Sequence, residues 1–232
     1  LTISQLLREE NMDHPVSKLL QNKLQKQEAL LTAAFSLFTE NGITGTSISS
    51  IVEKAGVAKG TFYLYFKDKY DIRDRLIRQK AGLILSNALN MLNSSSAISL
   101  SLEEQLVFLC SNIIDQLASD KMLTRFIMKN LSWGIIKKDL ENVPLHTAMI
   151  QKEDHDLNNL TDHGLDIWSL YNEALEKSDI KYNNPKIMLY LIMEFVSASC
   201  SSSILENEPL PINELRQYVL DGVRGIIRSR QI

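Results

Sequence analysis

The sequence lacks the marks of several protein classes. It holds only two cysteines, Cys110 and Cys200, placed in different segments. Thiols so isolated offer no metal-ligand spacing and no disulfide framework, so they read as reduced and buried. No signal-peptide pattern opens the sequence. The longest apolar run, Ile187 to Cys200, contains Glu194 and falls short of the roughly 20 residues that cross a bilayer. A cytoplasmic protein is expected. No segment sustains period-two alternation, so the chain reads as all-α. Internal repeats and low-complexity tracts are missing as well. So are Ser/His/Asp, Cys/His and Gly-rich phosphate constellations, which argues against an enzyme and leaves no cofactor implied. Glu153, Asp154, His155, Asp156, Asp162, His163 and Asp166 include a pair spaced to share a helical face. That stretch is polar throughout, and a solvated surface explains it without a metal.

What is present is an ordinary globular composition, 44% hydrophobic and 23% charged, in a chain long enough to bury a core. The net charge of −3 hides an asymmetry. Between Gln21 and Lys80 ten Lys and Arg stand against six Asp and Glu, whereas the remainder carries fifteen against twenty-two. A basic module on an acidic body suits one end meeting a polyanion.

Residues 1–20 read as an extension with a small apolar face interrupted by Pro15. From Lys23 a helical period runs through Leu24, Leu30, Leu31, Ala34, Phe35 and Phe38, and Gly42 supplies its stop. Thr46 or Ser47 caps a second helix that turns inward Ile48, Ile51, Val52 and Ala55. After the turn at Gly56, a third helix of about two turns carries Phe62 and Phe66 on one face. Asp68 and Asp71 are placed as a capping box for a fourth helix reaching Leu83 or Leu92. Farther on, Ser101 with Glu104 opens another helix, more helix follows from Lys121 to Lys138, and helices are expected from Leu165 to Lys177, Pro185 to Glu206 and Ile212 to Arg228.

The third helix carries the functional signal. Lys59, Thr61, Tyr63, Leu64 and Tyr65 are left pointing outward or sideways, and so much exposed aromatic surface on a short helix suits a partner. Lys and Tyr fit phosphate oxygens, while Thr61 and Leu64 fit base edges or thymine methyls. Gly60 lets backbone approach a duplex closely, and Lys69 is placed as a phosphate clamp beside a helix N-terminus.

Residues from about Lys23 to Leu83 resemble the DNA-binding domain of the TetR/AcrR family of bacterial transcriptional regulators. The resemblance lies in Ala33-Ala34-x-x-Leu37-Phe38-x-x-x-Gly42, in Thr46-Ser47-Ile48-x-x-Ile51, and in Ala55-Gly56-Val57-x-Lys59-Gly60-Thr61-Phe62-Tyr63-x-Tyr65-Phe66-x-x-Lys69. It departs at Ala58, where the family often has a capping Ser or Thr, and at Tyr65, where His is frequent. The resemblance implies a helix-turn-helix DNA-binding domain at 21–83, followed by a helical ligand-binding and dimerisation domain at 84–232. It implies DNA contact by Lys59, Thr61, Tyr63, Leu64, Tyr65 and Lys69, with backbone phosphate near Thr46 and Ser47. A homodimer would form through Leu189, Ile192, Met193, Val196 and Cys200 on one helix and Leu215, Val219 and Val223 on the next; an intramolecular core would give the same seams. Phe108, Met122, Phe126, Trp133, Trp168 and Tyr171, with Ile113 and Met128, could line a pocket for a small, mainly apolar effector. The expected protein is a homodimeric repressor, released by that effector from a near-palindromic double-stranded operator. The alternative is an architectural or division-associated DNA-binding protein of the same fold without a switch.

Overall fold

The computed structural model describes residues 15–130 and 167–232. Helices follow one another as α1 (Pro15–Gly45), α2 (Ile48–Ala55), α3 (Lys59–Tyr63), α4 (Lys69–Asn93), a short 3-10 turn (Ser96–Ser99), α5 (Leu102–Ser119), α6 (Lys121–Asn130), α7 (Ile167–Lys177), α8 (Pro185–Glu206) and α9 (Ile212–Arg228). Among the described residues the sole β pairing is an isolated antiparallel bridge between Tyr182 and Gln231. The all-α expectation holds. The chain divides into two compact units, Leu1–Leu76 and Ile77–Ile232.

In the first unit, Leu30, Leu31, Ala34 and Phe38 of α1 are buried together with Ile51 and Val52 of α2, Phe62 of α3, and Phe66, Ile72 and Leu76. The helical run of α1 begins at Pro15, inside the expected extension, and breaks at Gly42 (φ 71°). Ser47 is the N-cap of α2: its side chain accepts from the Ser50 amide at 3.0 Å, and the Ser50 hydroxyl accepts from the Ser47 amide at 3.2 Å. At the other end Gly56 is left-handed (φ 68°), a conformation that a Cβ disfavours, and its amide closes the helix onto Glu53 and Val52. Asp68 caps α4 by accepting from the amides of Tyr70 and Asp71 at 2.7 and 2.9 Å. Asp71 reaches back to the Lys67 amide at 2.8 Å.

In the second unit α8 packs against α9, α6 and α5, while α9 also packs on α5. Arginines tie α9 to α5. Arg216 bonds both oxygens of Asp115 at 2.5 and 2.8 Å, Arg224 reaches Glu104 at 3.2 Å, and Arg228 forks onto Glu103 at 2.7 to 3.1 Å. Exposed ion pairs contribute little, but Glu103 is nearly buried, and its carboxylate needs that planar fork. By length and composition α8 could cross a membrane, being longer than the apolar run read from the sequence. In the fold Met188, Ile192, Val196, Cys200 and Ile204 of this helix are buried within the protomer.

That burial corrects the expected dimer seam. Ile192, Val196 and Cys200 on α8 and Val219 and Val223 on α9 are all buried inside one protomer. Leu189, Met193 and Leu215 are half-buried beside them. The five buried side chains belong to the protomer's own packing, in which α8 and α9 cover each other, whereas Leu189, Met193 and Leu215 keep part of their surface. On the outer sides of these helices Ile187 and Tyr218 stay exposed.

The two helices meet closely at Gly222. A Cβ there would lie 2.4 Å from Cζ of Phe195, far inside van der Waals contact. Gly222→Ala is therefore expected to push the Phe195 ring aside, at an overpacking cost that the roughly 1 kcal/mol gain of alanine over glycine inside a helix partly offsets, for a net loss of about 0–2 kcal/mol. Phe195→Leu should recover part of that loss in the double variant, read as non-additive denaturant midpoints.

Candidate functional site

The candidate site is the short helix α3. Phe62 is fully buried (0%), and its ring lies 5.6 Å from that of Phe66. These two side chains anchor α3 to its own unit. The backbone continues the turn beyond α3, with the amides of Tyr65 and Phe66 donating to the Phe62 carbonyl at 3.0 and 2.9 Å. On the other side Tyr63 is 53% and Leu64 77% exposed, and Lys59 and Gly60 are exposed with them. Thr61 and Tyr65 are half-buried at the edges of that face; partial burial raises the Tyr65 phenol above its ordinary pKa. Ala58 is the N-cap of α3 and offers no side-chain hydrogen bond, as its apolar side chain dictates.

Two expected DNA contacts are placed elsewhere. Thr46 is only 2% exposed, and its hydroxyl lies 2.8 Å from the Gly42 carbonyl and 3.2 Å from that of Leu37. It therefore closes the end of α1, and its side chain has no surface to give a phosphate. Ser47 beside it is exposed. Lys69 is half-buried, and its Nζ lies 2.9, 3.2 and 3.1 Å from the carbonyl oxygens of Ile43, Thr44 and Thr46. The sequence reading passed over Lys67, which is exposed in the same FKDK run; a lysine between two motif positions was the available signal.

The second unit holds a cavity of about 1000 Å³. Its described apolar lining comes from Ile84, Leu85 and Leu89 of α4, Leu106, Leu109 and Ile113 of α5, Ile127 and Met128 of α6, Tyr171 of α7, and Leu189, Ile192, Met193 and Val196 of α8. Its polar and charged side chains include Asn90, Asn93, Gln105, Glu173, Lys177 and Asp179. Lys177 is paired with Glu173 at 2.6 Å. Tyr171 donates its hydroxyl to the Pro185 carbonyl at 3.0 Å, and burial pushes its phenol pKa up. Cys110 also lines the cavity; burial, with a smaller contribution from Cys200, raises its thiol pKa to about 12.

Of the expected pocket residues, Ile113, Met128 and Tyr171 line this cavity. Phe108, Met122 and Phe126 do not: Met122 is 57% exposed, Phe126 is buried in the core, and Phe108 is half-buried outside the lining. Trp133 and the acidic and histidine cluster at 153–166 lie outside the described residues, as does the side chain of Trp168. Sequence reasoning missed the contribution of α4, although its apolar period continues past the first unit, and it assigned four α8 lining residues to a dimer seam.

The described pattern of bacterial regulatory proteins of the tetR family matches residues 30–76. The fatty acid metabolism regulator protein of Bacillus subtilis is 41% identical over 63 residues, covering 27% of this chain and 32% of the relative. The HTH-type transcriptional regulator YdgC of the same organism is 31% identical over 139 residues, 56% of this chain and 64% of the relative. The chain thus aligns with about a third of one relative and just under two thirds of the other. The transcriptional regulator FadR from Bacillus subtilis, solved in complex with stearoyl-CoA, shares the fold: the TM-score is 0.56 at 20% identity, over 86% of this chain and 98% of that one. Residues 30–76, from α1 to α4 of the first unit, thus carry the pattern of bacterial regulatory proteins of the tetR family, and the chain shares the all-helical fold of a solved transcriptional regulator.

Proposed function

We propose that the chain is a cytoplasmic, homodimeric transcriptional repressor that leaves its operator when a molecule with a long hydrocarbon chain fills the cavity of the second unit. The observation carrying the DNA-binding half is the split of α3 into a buried anchor, Phe62, and an outward face of Lys59, Tyr63 and Leu64. A rigidly held face of this composition matches major-groove readout, with aromatic hydroxyls and ammonium groups for phosphates and an apolar tip for a thymine methyl. In a two-fold dimer, two such faces about 34–36 Å apart would meet successive grooves of a near-palindrome. The relatives named above are regulators, which agrees with a role without catalysis.

The cavity supports the ligand-responsive reading over an architectural one, for which a closed interior would be expected. Its volume of about 1000 Å³ stands at the upper end of the roughly 300–1,000 Å³ typical of small-molecule sites. Each methylene buried in such a lining contributes about 0.8 kcal/mol, so a long acyl chain gains affinity from length alone. The stearoyl-CoA bound by the Bacillus subtilis regulator is a ligand of this kind. The described lining is mainly apolar, and we place the recognition in the hydrocarbon chain. An effector acts by binding one state of the protein better than the other, and the coupling free energy is typically about 1–3 kcal/mol.

A duplex selected by the wild-type protein from a randomised library provides the assay. Tyr63→Ala should weaken binding to that duplex by about 1–3 kcal/mol, with the oligomeric state in sedimentation unchanged. Equal gel-shift affinity for wild type and variant would remove α3 as the reading element. Titration with stearate and stearoyl-CoA should release the duplex, and Ile113→Trp, whose larger ring intrudes on the path of a bound chain, should bind DNA but need more of either compound for release. If no acyl compound alters the DNA affinity of the wild type, the proposed switch is wrong.

A further inference from the structure

The ammonium of Lys69 faces into its own unit. An α-helix leaves its last carbonyls short of partners; here the helix kinks at Gly42 and ends at Gly45, and of the backbone amides beyond it that of Thr46 donates to Ile43 at 3.3 Å. Two side chains add donors. The Thr46 hydroxyl donates its one proton to Gly42 at 2.8 Å with Leu37 at 3.2 Å, and Lys69 Nζ donates to Ile43, Thr44 and Thr46 at 2.9 to 3.2 Å. A lysine ammonium has three N–H donors, and these three carbonyls match them in number. None is left for a phosphate oxygen while the arrangement persists. The cation also sits where the carbonyl dipoles at the end of a helix favour positive charge. Lys69 is the first residue of α4, so its side chain ties the start of α4 to the turn that leads into α2.

We propose that Lys69 is a positioning residue of the reading unit, an internal clip that fixes the α1–α2 turn relative to α4, and that it does not clamp a DNA phosphate. This rests on the reading of the first unit as DNA-binding. The clip itself is a property of the DNA-free protein and can be tested separately. Through the turn it sets the platform of α2 against which α3 lies, so that losing it misplaces Tyr63 and Leu64 without removing a contact to the duplex. The surface cation of the reading helix, Lys59, provides the contrasting case.

The test compares Lys69→Met, which removes the ammonium, Lys69→Arg, which keeps the charge but cannot converge on three carbonyls, and Lys59→Met. Without DNA, both Lys69 variants should show faster amide hydrogen exchange across residues 43–51, and Lys59→Met should not. With the selected duplex, at a temperature where circular dichroism shows every variant folded, both Lys69 variants should bind roughly tenfold more weakly, as expected for loss of charge-assisted hydrogen bonds. The slope of log affinity against log salt should stay at the wild-type value in both. In Lys59→Met it should fall by about 0.9, the value for one phosphate contact. If Lys69→Met loses that slope and Lys69→Arg restores affinity, Lys69 is a phosphate clamp and the proposal is overturned. Unchanged exchange would show that the clip does not exist, and unchanged affinity would reduce it to a role in stability alone. If the wild type selects no duplex, the DNA-binding reading fails while the exchange measurement still decides the clip. If Lys69→Met does not fold, Lys69→Arg carries both measurements.

Discussion

The five residues of α3 cannot hold a helix in water by themselves. Fixing the first turn costs more backbone entropy than one hydrogen bond returns, and isolated helices need about 12–15 residues to become marginal. The N-cap, Ala58, gives no help. What holds the element is the insertion of Phe62, with Phe66 beside it, into the core formed by α1 and α2. Full burial of one such ring stabilises by about 1.5–3 kcal/mol, which is enough to order a segment of this length. Because the anchor is on one side, the opposite side is presented rigidly, and exposed Tyr63 and Leu64 become a fixed shape in place of a mobile loop. Every functional statement about the first unit depends on that division.

Around this anchor the polar groups are closely accounted for. The chain must turn sharply between α1 and α2 to bring the second and third helices under the first, and a turn after a helix strands carbonyl groups. Thr46 and Lys69 bring four donors to the carbonyls there, the Thr46 hydroxyl to Gly42 and the Lys69 ammonium to Ile43, Thr44 and Thr46. Ser47 and Ser50 satisfy the amides that open α2, and Asp68 does the same for α4. Lys54 adds a tether from α2 back to Ser36 of α1 at 2.6 Å. A motif that reads as a DNA-facing surface is thus in large part a set of backbone partners.

Those double uses explain where the sequence was legible. Periodicity and punctuation located α8 and α9 to the residue, identified Gly42 and Gly56 as breaks, and marked Asp68 and Ser101 as caps. Each of those signals is local: a cap, a break and a 3.6-residue stripe are decided by neighbours in the chain. The misplacements concern partners distant in sequence. A threonine or a lysine beside a reading helix can donate to a phosphate or to a carbonyl, and only the path of α1 shows that Thr46 has no exposed surface. An apolar stripe says that a face is covered, not by what. Ile192 and Val196 therefore passed for a dimer seam although they line the cavity, while Met122 and Phe126 passed for pocket residues although one is exposed and the other lies in the core. The contribution of α4 was hidden for the same reason, since its stripe serves the first unit at Ile72 and Leu76 and the second at Ile84 and Leu89.

The central claim is that the outward side of α3 enters a groove of duplex DNA. It is tested most directly by placing a photocrosslinking amino acid at position 64, where the side chain is exposed, and irradiating the complex with a duplex selected by the unmodified protein. The account predicts covalent adducts on bases within a short, symmetric pair of sites, and no adducts when the same group is placed at the exposed Met122. A complex that forms with full affinity yet yields no base adduct from position 64 would contradict it.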